Sequence, residues 1–147
     1  MPASKQAASS EEGCILLVED NAGDVMLVQE ALKSQSLAQE LIVMRDGELA
    51  IHFIDEVDNR KAPCVNLVIL DLNLPRRPGS DVLRRIRQSP VCGNVTVMVL
   101  SSSEAEKDKR EMAALGANRY VRKPSSLAEL VQLGAVVKEM LGSGTPS

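Results

Sequence analysis

The stretch Leu67-Val68-Ile69-Leu70-Asp71-Leu72-Asn73-Leu74-Pro75 decides how this chain reads. Four aliphatic residues in a row, closed by an acid, describe a strand buried on both faces, since a half-solvated strand would alternate apolar with polar positions. Similar runs stand at Cys14 to Val18, Leu41 to Met44 and Val95 to Leu100, with a shorter one around Tyr120 and Val121. Five buried strands are predicted.

Between the strands the apolar spacing changes to that of helices: Val25, Val28 and Leu32; Ala50, Phe53, Ile54 and Val57; Val82, Leu83 and Ile86. The fourth helix opens with Ser103 and Glu106 at the spacing of a capping box and stops at Gly116. Its body, Glu104 to Glu111, is mostly charged, so it buries little and is expected to be mobile. The fifth repeats the signal at Ser126 and Glu129 and puts Leu127, Leu130, Gly134, Val137 and Leu141 on one stripe, predicting firm docking. Strands alternating with helices imply an α/β fold, a parallel sheet with helices on both faces, because parallel neighbours need crossover connections.

The chain has 147 residues, which suits one domain. The expected organisation is a flexible N-terminal tail at 1–12, a domain at 13–141 and a flexible C-terminal tail at 142–147. With Phe53 and Tyr120 as the only aromatics, the core must be aliphatic. A net charge of −3 gives no reason to expect nucleic acid or an anionic membrane as partner. No apolar run approaches a membrane span and Met1 to Ser10 lacks a signal-peptide core, so a cytoplasmic protein is expected. Cys14, Cys64 and Cys92 are odd in number, widely spaced and without Cys-x-x-Cys, and so read as buried reduced thiols.

Function in open α/β sheets collects where strands end at their carboxyl edge. The first strand ends in Glu19 and Asp20, the third in Asp71, the fourth in Ser101, the fifth in Lys123 and Pro124. Converging carboxylates repel one another unless a cation compensates them, and oxygen-only ligands favour Mg²⁺. Beside such an ion, Asp71 can act as a nucleophile toward phosphorus, with Lys123 offsetting charge and Ser101 donating a hydrogen bond to the product phosphate.

These residues, Glu19-Asp20, Asp71-Leu-Asn-Leu-Pro75, Gly79, Ser101 and Lys123-Pro124, resemble the response-regulator receiver domain of two-component systems over about Gly13 to Leu141. The resemblance implies a flavodoxin-like, doubly wound sheet of strand order 2-1-3-4-5 and a cis Lys-Pro peptide. It implies that Asp71 accepts a phosphoryl group from a histidine kinase. It further implies that Glu19, Asp20, Asp71 and the Asn73 backbone carbonyl hold Mg²⁺, and that Ser101 and Tyr120 form the switch. Phosphorylation would then bias the surface made by helix 4, strand 5 and helix 5. The wording Val-Glu-Asp-Asn-Ala-Gly-Asp at 18–24 and Asp-Leu-Asn-Leu-Pro-Arg at 71–76 is similar to the single-domain regulators that partner bacterial phytochromes. That likeness implies a bacteriophytochrome kinase and a homodimer through the same surface. On this reading the chain is a signalling switch without an output domain, not an enzyme, catalysing only its own phosphoryl transfer and autodephosphorylation.

Two positions depart from the pattern: Pro78 precedes Gly79 where Asp is usual, and Ser125 follows Pro124 where an aromatic is common. They bear on loop geometry and switch packing. A constitutive pseudo-receiver scaffold is one alternative. A haloacid dehalogenase-type phosphatase is another, but it needs a second acid two residues after the nucleophile, where Asn73 stands. The basic stretch Arg76, Arg77, Arg84, Arg85 and Arg87 reads as a solvated helix face, and His52, inside the second helix, as structural.

Overall fold

A computed structural model describes residues 13–143; the expected N-terminal tail at 1–12 and residues 144–147 of the expected C-terminal tail at 142–147 lie outside the described residues. The elements alternate without exception: β1 Cys14–Val18, α1 Ala22–Ser34, β2 Glu40–Met44, α2 Gly47–Asp58, β3 Leu67–Leu70, α3 Gly79–Gln88, β4 Thr96–Ser101, α4 Glu106–Ala114, β5 Arg119–Arg122 and α5 Leu127–Ser143. All strand pairs are parallel, in the order β2-β1-β3-β4-β5. The direction of strand addition reverses between β1 and β3, which opens a crevice at their carboxyl ends.

Because side chains alternate across a strand, each inner strand feeds two cores. Leu16, Val18, Val68, Leu70, Val97 and Val99 meet Ala50, Phe53 and Ile54 of α2, Val82, Leu83 and Ile86 of α3 and Met112 of α4. Ile15, Leu17, Ile69, Met98 and Leu100 meet Val25, Val28 and Leu32 of α1 and Leu133, Val137 and Met140 of α5. Every apolar position expected for the first three helices is buried.

The last two helices correct the sequence reading. Ser103 does not cap α4: its hydroxyl accepts the Ala105 N–H at 3.2 Å and donates to Asp108 at 2.6 Å, and the helix starts only at Glu106. A serine followed by such a turn satisfies its own loop before a helix can use it. Met112 is the one buried residue of α4. In α5 the expected Gly134 and Val137 are buried and Leu130 and Leu141 pack against the core, but Leu133 and Met140 are buried with them and Leu127 is 77% exposed. A Cβ on Gly134 would strike the Ala31 carbonyl, so the bare glycine sets the approach of α5 to α1 and rotates the buried face onto it. The helix continues to Ser143, past the expected boundary at Leu141.

The basic stretch is also more structural than a solvated face. Arg85 bridges Asp55 at 2.8 Å and Asp58 at 2.6 Å, tying α3 to α2. Arg87 donates to the carbonyls of Gly93, Val95 and Gly116 and to Asn118. His52 stands on the exposed side of α2, 3.6 Å from Glu56. The thiol reading needs the largest correction: Cys64 and Cys92 form a disulfide, their Cα atoms 5.6 Å apart, and only Cys14 is free. Their separation of 28 residues carries no local signal, and the pair meets only because β3 and β4 are neighbours and begin side by side.

Candidate functional site

β1 and β3 deliver the acids. Glu19 follows β1 and donates its backbone N–H to Met44 O at 3.0 Å; Asp71 follows β3 and donates to Val18 O at 3.1 Å, so both remain in the sheet's hydrogen-bond network to their last residue. Glu19 and Asp71 are buried and Asp20 is exposed, and ligand oxygens of the three lie within 4.8 Å of one another. Asn73 follows in the loop, its N–H donating to Asp71 Oδ1 at 3.4 Å.

Lys123 enters from the far side of the crevice. The Lys123 N–H donates to Ser101 O at 2.8 Å, extending the β4–β5 ladder and aiming the side chain back across the strand ends. Its ammonium stands 2.8 Å from Asp24 Oδ2, 3.1 Å from Glu19 Oε1 and 3.4 Å from Asp71 Oδ2. The Lys123–Pro124 peptide is trans, correcting the cis bond implied by the resemblance. The two isomers of a bond before proline differ by only about 0.5–1 kcal/mol, so local packing decides between them.

Asp24 was missed in the sequence. It lies in the first turn of α1, where its backbone N–H is capped by Asn21 at 2.9 Å, and its carboxylate reaches Lys123 only once the loops after β1 and β5 have met. The sole hint was its place in the 18–24 stretch.

The balance of charge is against the acids. Three carboxylates, those of Glu19, Asp24 and Asp71, share one ammonium, and a fourth, Asp20, stands beside Glu19 and Asp71. Burial, and then the Asp71 charge, push the Glu19 carboxyl up to about 7, against the opposing help of the Asn21 N–H and Lys123. Burial works against the Lys123 ammonium, but the Asp24 hydrogen bond and the Asp71 and Glu19 charges outweigh it and raise its pKa. A hard divalent cation fits this donor set, being oxygen-only, anionic in excess and open at Asp20.

Ser101 and Tyr120 are brought together through one residue. The fully buried Ser101 accepts the Ser103 N–H at 3.0 Å on its hydroxyl, and the Tyr120 hydroxyl donates to Ser103 O at 3.0 Å. The turn between β4 and α4 is therefore held by both switch candidates. Pro78 leaves the opposite loop intact: Gly79 N–H donates to Leu72 O at 3.0 Å, and Pro78 itself precedes α3 in extended conformation. A Cβ on Gly79 would meet the Asp71 carbonyl, so this glycine lets α3 begin directly behind the acid. Ser125, at the position where an aromatic is common in receivers, donates its N–H and hydroxyl to Glu129 at 2.9 and 3.1 Å, closing the turn into α5.

A 2-1-3-4-5 parallel sheet whose switch-point crevice gathers acids from β1 and β3, a hydroxyl from β4 and an ammonium after β5 defines a signal receiver. Residues 15–134 match the response regulator receiver domain, and the chain belongs to that family. It is 40% identical over 120 residues to Response regulator Rcp1 of Synechocystis sp., spanning 81% of this chain and 82% of that one. The Mn²⁺-bound crystal structure of Rcp1 superposes with a TM-score of 0.76 at 38% identity, covering 86% of this chain and 92% of that chain. The phosphorylated cyanobacterial phytochrome response regulator RcpA gives 0.80 at 34% identity, covering 91% and 96%. The chain is thus a response-regulator relative of phytochrome response regulators.

Proposed function

We propose that this receiver takes a phosphoryl group on Asp71 from the phosphohistidine of a sensor kinase, using Mg²⁺ held by Glu19, Asp20, Asp71 and the Asn73 carbonyl. The observation that carries the proposal is the buried Asp71 carboxylate set between two further acids and 3.4 Å from the Lys123 ammonium. An Asp71 oxygen forms the new bond to phosphorus, the phosphorus–nitrogen bond breaks, and the imidazole leaves. The divalent ion, when bound, neutralises oxygen charge on the transferred group. Lys123 can release Asp24 or Glu19 to follow that charge, and Ser101 can turn its hydroxyl from Ser103 toward the phosphate.

Moving Ser101 removes its bond to the Ser103 N–H and leaves the turn to Tyr120 and to the bonds of the Ser103 hydroxyl with Ala105 and Asp108. The readout surface is α4, β5 and α5, where Arg122 pairs with Glu104 and Glu129 and Arg119 with Glu139. The likeness to Rcp1 and RcpA favours a bacteriophytochrome kinase, a cytoplasmic setting and a homodimer on this surface. No described helix is long and apolar enough to cross a membrane. The experiment is intact mass after incubation with acetyl phosphate or phosphoramidate, with and without Mg²⁺. One phosphoryl adduct that requires Mg²⁺ is expected, and its absence would refute the switch. Size exclusion of the same samples tests pairing, which an unchanged monomer would contradict.

A further inference from the structure

The Cys64–Cys92 disulfide lies at the edge of the sheet opposite Asp71, since Cys64 precedes β3 and Cys92 precedes β4. Its two sulfurs are unequal. Cys92 is 1% exposed and belongs to the core, whereas Cys64 is half-buried and lines an open groove of about 500 Å³. Val57, Pro63 and Val91 give that groove an apolar floor, Val91 being 52% exposed, and Arg60 and Lys61 make its rim basic.

A disulfide opens when a thiolate attacks one sulfur and the other departs, so access decides which sulfur is struck. From the groove, only Cys64 can be reached. Arg60 and Lys61 favour the thiolate form of an incoming thiol, and the apolar floor suits the surface around a protein's reactive cysteine better than a small charged thiol. In the reducing compartment proposed above, a disulfide is characteristically exchange-active rather than permanent.

We propose that Cys64–Cys92 is a thiol-exchange site, reduced from this groove by a protein dithiol. The reductant's thiolate bonds to Cys64 Sγ while the Cys64–Cys92 bond breaks, and Cys92 leaves as a thiolate that takes a proton from water. The reductant's second thiol then attacks the mixed disulfide and releases Cys64. The balance is two electrons and two protons passed to the cysteine pair, with the reductant oxidised to its disulfide. Reduction unties the segment entering β3 from the segment entering β4 and leaves the strand-end acids untouched.

The test uses the full wild-type chain and a thioredoxin whose resolving cysteine is serine, which traps the mixed disulfide. Peptide mapping is expected to place the adduct on Cys64, and intact thioredoxin is expected to reduce the folded chain at least about tenfold faster than glutathione at equal thiol. An adduct on Cys92, no adduct, a pair that alkylates without reductant, or equal rates with glutathione would each overturn the proposal. The phosphorylation assay is independent of these outcomes.

Discussion

At the scale of single residues, Glu19 carries the sharpest expectation. It is 1% exposed beside Asp71, and its carboxyl is raised from 4.5 to about 7. In the metal-free chain the folded state holds this proton between those values while the unfolded state has lost it. Its contribution therefore falls as pH rises from about 4.5 toward 7, with a ceiling of roughly 3 kcal/mol. Urea unfolding across that range should show the decline, and Glu19→Gln should flatten it. Mg²⁺ must displace the same proton, so its affinity, measured by calorimetry, should weaken up to about tenfold per pH unit below 7 and level off above it. Most of this site was legible because Glu19, Asp20, Asp71, Ser101 and Lys123 each terminate a strand run. Asp24 and the Cys64–Cys92 pair were not, because their partners are set by which strands become neighbours, and sequence spacing does not carry that.

At the scale of elements, burial separates the helices. Only Met112 anchors α4, whereas α1 buries Val25, Val28, Ala31 and Leu32. Hydrogen exchange should find α4 amides opening at least about tenfold faster than those of α1. This contrast was readable from the charge of Glu104 to Glu111. The docked face of α5 was legible in Leu130, Gly134, Val137 and Leu141 but not at Leu127, Leu133 and Met140, because the close approach of Gly134 to the Ala31 carbonyl turns the buried face toward Leu133. Gly134→Ala should push α5 from α1 and cost about 1–3 kcal/mol in urea unfolding, despite alanine's better helix propensity. The serine at 103 misled for a related reason: the same hydroxyl can cap a helix or close a turn, and tertiary contacts with Ser101 and Tyr120 select the turn.

At the scale of the molecule, the alternation of elements was written in the sequence, and strand order came from family likeness. That order is what makes the site: with β1 beside β3 and β3 beside β4, acids and hydroxyl from three strands face one crevice, and β5 returns Lys123 into it. The site draws on several strands of the sheet, whereas the proposed readout is the edge formed by α4, β5 and α5. A charge change at Asp71 can reach that edge through Ser101 and Ser103 to Tyr120.

Asp71 is the proposed acceptor of the phosphoryl group in this assembly. Borohydride reduction of the chain after treatment with acetyl phosphate and Mg²⁺ converts an aspartyl phosphate to homoserine, which peptide sequencing locates. Homoserine at position 71, dependent on Mg²⁺ and lost in Asp71→Asn, is the expected result. Homoserine at another acid, or none at any position in a chain that remains folded, would contradict the account.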